Sequence, residues 1–146
     1  MERHTRTPGA LLPYILLFGA LYTTLLVGLG ALALFAGVNS PLIEIGILIA
    51  TATVVVHRYV RKKGRYWRHQ ELLTFTLGAV LIKSVVAMGF MLLLPEVRFG
   101  AAVVVVTAIV ALIHALVLYA YLRWPAKRLA DKWLQGPEPQ VSIPPA

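Results

Sequence analysis

Four runs of apolar residues constrain this 146-residue chain more than any other feature; they lie at 10–37, 41–56, 72–94 and 99–122. Their formal charges are Glu44 and Lys83, and their one histidine is His114. A helix rises about 1.5 Å per residue, so roughly 20 apolar residues cross the hydrocarbon of a bilayer. The first, third and fourth runs reach that length alone. The second reaches it by continuing through Tyr59 and Val60, with Arg58 stretching its charged head towards the headgroups. The expected spans are therefore 10–37, 41–60, 72–94 and 99–122.

Composition supports this. The chain is 59% hydrophobic and 14% charged, against about 45–50% and about 25% in soluble domains. A soluble fold of this size cannot keep so much apolar surface from water. A soluble enzyme, a disordered protein and a nucleic-acid-binding domain are excluded. The net charge of +8 gathers at the ends of the runs, where membrane topology explains it without nucleic acid. There is no cysteine, which excludes disulfide exchange and thiolate chemistry. The fold class is all-α: an integral membrane four-helix bundle within residues 1–136. A cleaved signal peptide is the rival reading of the first run, with Arg3, His4 and Arg6 before it and Ala31-Leu32-Ala33 as the cleavage site. A signal core has about 7–15 residues, and the longer run favours a retained helix.

Orientation follows from Lys and Arg. Arg3 and Arg6 precede the first span. Arg58, Arg61, Lys62, Lys63, Arg65 and Arg68 cluster between the second and third. Arg123, Lys127, Arg128 and Lys132 follow the fourth. The opposite turns, 38–41 and 95–98, hold only Arg98. Both termini are expected to be cytoplasmic, in a multi-pass protein of a bacterial inner membrane. After Trp124-Pro125, the residues Ala126, Leu129, Ala130, Trp133 and Leu134 recur at helical spacing, with charges on the other face. Proline suits a helix start and Gly136 a stop, so 125–135 reads as a short helix on the inner leaflet. The tail 137–146 has four prolines in ten residues and reads as extended and mobile.

A helix in a bundle turns one face inward about every seven residues. That stripe carries Thr23, Gly30 and Gly37 in the first span and Glu44, Thr51 and Arg58 in the second. In the third it carries Thr76, Lys83 and Phe90, and in the fourth Gly100, Thr107, His114 and Tyr121. Counted from the outer turns at about 1.5 Å per residue, Thr23, Thr51, Lys83 and His114 share one layer near the midplane. Glu44 falls only one turn below the outer surface. On that ladder it reaches Lys83 only if Lys83 stretches outward and the second helix shifts.

Lys83 is the most informative residue, because a central lysine costs about 2.5–3.5 kcal/mol on insertion scales. It reads either as an anion, proton or partner site, or as a polar tie to Thr51, Thr23 or His114. His114 reads as a proton relay or a hydrogen-bonded core histidine, and it has no co-ligands for a metal. Glu44 binds a cation or proton, or simply favours the positive end of its helix. The basic loop 57–71 anchors the interface and sets orientation, or docks an acidic partner. Gly19-x-x-x-Thr23 and Gly46-x-x-x-Ala50 leave a homo-oligomer open. No catalytic set, metal site or cofactor site assembles from these residues, so no enzyme activity is expected.

The stretch 57–71 and the apolar span after it resemble a family of small bacterial four-helix inner-membrane proteins with no assigned activity. The resemblance rests on Tyr14, Phe18 and Tyr22, on Asn39-Ser40, on Tyr59-Val60, on Gly64-Arg65 with Glu71, and on the basic exit from the fourth span. It implies the fold and supplies no catalytic residues. In size and topology the chain also looks like membrane immunity proteins, which neutralise membrane-targeting toxins. The expected function is a non-enzymatic interaction protein in the lipid bilayer, in its sharpest form an immunity protein binding a toxin by helix–helix contact. The alternatives are a small oligomeric channel or transporter using the Lys83 and His114 layer, and an accessory subunit of a larger membrane complex.

Overall fold

A computed structural model of the chain describes residues 11–37, 41–92 and 100–135. Arg3, His4, Arg6, Asn39, Ser40, the turn 95–98 and the tail 137–146 lie outside the described residues. Five helices follow in order: α1 Leu12–Phe35, α2 Pro41–Lys63, α3 His69–Leu92, α4 Ala101–Arg123 and α5 Pro125–Gln135. The four longer ones are long and apolar enough to cross a membrane.

The helix ends have local causes. α2 continues past the apolar run to Lys63, where Arg61, Lys62 and Lys63 suit the negative end of the helix. Gly64 then takes φ 62°, a left-handed conformation that stops a helix cheaply only at glycine. α3 starts at His69, ahead of the expected 72. Its Glu71 accepts the Arg68 backbone N–H at 2.9 Å, which is half of a capping box.

α1 packs on α2 and α3, and α4 packs on the same two helices. Among the described residues α1 does not approach α4, nor α2 approach α3. Those pairs occupy the diagonals, so the α2–α3 connection crosses beneath the bundle. Trp67 in that connection is buried, its ring 4.4 Å from Phe75 and 5.3 Å from Tyr59. α1 and α3 approach closely at two glycines. A Cβ on Gly19 would stand 2.9 Å from Ile82, and one on Gly78 would stand 2.8 Å from Ile15.

Burial is confined to one half of the bundle. Phe18, Leu48, Val55, Val56, Phe75, Leu118 and Leu122 are fully enclosed there. Among the described residues with assigned exposure, none is buried in 23–35 of α1, 84–92 of α3 or 101–113 of α4. Gly28, Gly30, Gly46 and Gly89 face open space, and Phe90 is exposed. The expected close approach along Gly30 and Gly37 is therefore corrected: small residues bring helices together only in the packed half, at Gly19 and Gly78.

The asymmetry follows from the placement of α2. Glu44, at the level of Lys83, is three residues from the start of α2, whereas Tyr22 is thirteen from the end of α1. α2 is thus shifted lengthwise against its neighbours. Its far half meets α5, where Ala126 and Ala130 are buried and the Trp133 ring stands 4.6 Å from His57. α5 starts at the expected Pro125 and continues to Gln135, the last described residue; it packs on α2 and α4 while Leu129 and Leu134 stay exposed.

Candidate functional site

Each long helix contributes one polar side chain to a cluster at the boundary between the packed and open halves. Tyr22 comes from α1, Glu44 from α2, Lys83 from α3 and His114 from α4. Three of them converge on a single oxygen, Glu44 Oε1. Lys83 Nζ lies 2.8 Å away, the Tyr22 hydroxyl donates at 3.1 Å, and His114 Nε2 stands at 3.8 Å. The ion pair joins α2 to α3 across a diagonal, so it crosses the bundle axis. Its two ends differ: the Lys83 side chain is 5% exposed and that of Glu44 34%.

This corrects the depth ladder. Counting inward from the turns assumes that all four helices begin at one level. The shift of α2 carries Glu44 to Lys83 and moves Thr51 further into the packed half. Lys83 pairs with Glu44 rather than with Thr51, Thr23 or His114. Thr51 is buried and donates to the Ile47 carbonyl of its own helix at 2.7 Å. Thr23 and Thr107 are half-buried, and Thr107 lines a small apolar cleft of about 240 Å³ with Ser84, Met88 and Ala111. Tyr22 was missed as a site residue. The four-residue spacing of Tyr14, Phe18 and Tyr22 marks a common face, and that was the available signal.

His114 has a definite proton arrangement. Its Nδ1 lies 2.7 Å from the Val110 carbonyl, and a carbonyl only accepts, so Nδ1 carries the hydrogen. In the neutral ring Nε2 is then a bare lone pair. It is buried with no hydrogen-bond partner among the described residues and faces a carboxylate oxygen, acceptor against acceptor. A proton on Nε2 converts that opposition into a charge-assisted contact. The cluster therefore offers a free lone pair at His114 and a carboxylate at Glu44 that a further donor could share with Lys83.

A second polar group secures the other end of the packed half. Arg65 grips Glu71 in a fork, with both contacts at 2.7 Å. These bonds raise the Arg65 guanidinium above its ordinary value. Tyr59 adds its hydroxyl to the same carboxylate at 3.4 Å. The Tyr66 hydroxyl donates to the Leu122 carbonyl, and burial pushes that phenol upward. Arg65 thus holds a corner, while Arg58, Arg61, Lys62, Lys63 and Arg68 are exposed. Among the described residues no group of three or more His, Cys, Asp or Glu could hold a metal ion. Compared with known protein families, curated proteins and solved structures, the chain matches none.

Proposed function

We propose that this chain is a non-enzymatic, multi-pass protein of a bacterial inner membrane that binds a membrane-inserted segment of another protein. The observation that carries the reading is the polar cluster of Tyr22, Glu44, Lys83 and His114, set where the chain stops packing against itself. Ionisable groups inside membrane spans are costly and by default functional. A tie between helices alone needs no open half beside it. A partner helix lying in that half meets a carboxylate that is one-third exposed, with the enclosed Lys83 ammonium behind it. The distribution of Lys and Arg supports a cytoplasmic side for both termini and α5, and in that orientation the open half faces outward.

In its sharpest form the protein is an immunity protein, and the partner is a toxin that enters the membrane from outside. Expression of the wild type is then expected to protect cells from that toxin, and Lys83→Leu to abolish protection while the protein still accumulates in the membrane. Protection that survives Lys83→Leu overturns the role of the cluster. A partner that co-purifies in constant ratio and is not a toxin points instead to an accessory subunit.

One observation favours a second reading, a small channel or transporter: the unpaired Nε2 of His114 beside Glu44 is a proton acceptor among ionisable groups from several helices. Proteoliposomes distinguish the two. Ion or proton flux lost in His114→Asn supports transport, and no flux over a range of gradients removes it.

A further inference from the structure

We propose that the elbow between α4 and α5 holds the phosphate headgroup of an anionic membrane lipid. A cavity of about 560 Å³ opens there, lined among others by Arg123, Lys127, Arg128, His69 and Asp131. Three fixed cations thus face one carboxylate. Among the described residues Lys127 and Arg128 make no ion pair, and Asp131 pairs with neither. Arg128 rests over the Trp124 ring at 5.3 Å from its centroid, which keeps its guanidinium at the cavity rim. Arg123 donates to the Tyr119 hydroxyl at 3.4 Å and stands over the Tyr119 ring at 5.9 Å from its centroid, and among the described residues it makes no ion pair. Trp67 lines the same cavity, and its Nε1–H is buried without an acceptor among the described residues. An indole N–H only donates, so a ligand oxygen that reached it from the cavity would satisfy it. Several cations and one orphan donor around a cavity describe a phosphate.

The position selects a lipid as the source of that phosphate. This step rests on the reading that the four long helices span a membrane. The cavity lies at the end of α4, level with the headgroups. Leu112 and Leu116 on α4 and Leu129 on α5 present exposed apolar surface along which acyl chains can run. Asp131 on the rim leaves room for a headgroup hydroxyl to donate.

The test titrates the full-length protein in detergent with phosphatidylglycerol, phosphatidylcholine or inorganic phosphate, read by native mass spectrometry. Phosphatidylglycerol is expected to bind at one site, and phosphatidylcholine, whose choline cancels the charge, much more weakly. Lys127→Gln with Arg128→Gln lowers phosphatidylglycerol affinity about thirtyfold. Lys62→Gln with Lys63→Gln, outside the cavity, leaves it unchanged. Trp67→Phe, which keeps a ring and removes the donor, lowers it several-fold. Equal binding of the two lipids, or equal loss in both double variants, overturns the site. Displacement by millimolar inorganic phosphate overturns the lipid and assigns a soluble phosphate instead. Unchanged unfolding temperatures of the variants separate loss of the site from loss of the fold. Extraction from membranes by detergent but not by alkaline carbonate tests the membrane reading separately.

Discussion

Glu44 and Lys83 share an ion pair but not an environment, and their removal should differ accordingly. Lys83 is 5% exposed and Glu44 34%. Glu44→Gln strands a buried cation, a change that costs about 3–5 kcal/mol where both partners are enclosed. Lys83→Met leaves a carboxylate that water can still reach, and it is expected to cost less than half as much. Thermal unfolding in detergent checks the order, and equal losses contradict it. The inward direction of Lys83 and His114 was legible from the seven-residue stripe, because direction depends only on helical period. The partnership with Glu44 was not, because level depends on how far α2 slides. That slide accompanies a contact between α2 and α5 that is distant in sequence.

At the scale of elements, glycine has two meanings that sequence alone does not separate. Gly19 sits where α1 meets α3, and a Cβ there stands 2.9 Å from Ile82. Gly28 lies about two and a half turns further along α1 with nothing within 4 Å. Gly19→Val is therefore expected to destabilise by about 1–3 kcal/mol through overpacking. Gly28→Val should be neutral or slightly stabilising, since valine is the better helix former. Unfolding midpoints of the two variants measure the difference. α5 was legible from Pro125 at its start and from the helical spacing of Ala126, Ala130 and Trp133. The start of α3 was not, because His69-Gln70-Glu71 is polar and its helical state comes from the Glu71 cap and the Arg65 fork.

For the whole molecule, four apolar runs and the distribution of Lys and Arg were enough for an all-helical chain with four long helices. They did not announce that only half of the bundle would pack. The chain has no cysteine, so a single introduced one reports its own side. Lys62→Cys and Leu134→Cys are expected to resist an impermeant thiol reagent in intact cells and to react after lysis. Labelling of either from outside contradicts the proposed orientation.

The central claim is that the open half beside the Glu44–Lys83 pair receives a protein segment. The most direct measurement places a photo-crosslinking residue at Thr107, in the cleft between α3 and α4, or at Leu116, which is exposed on α4. Irradiation of native membranes should then join Thr107 to one discrete protein, and Lys83→Met should remove that product, while Leu116 gives lipid adducts alone. Lipid adducts alone at Thr107, or the same protein product at both positions, would contradict the account.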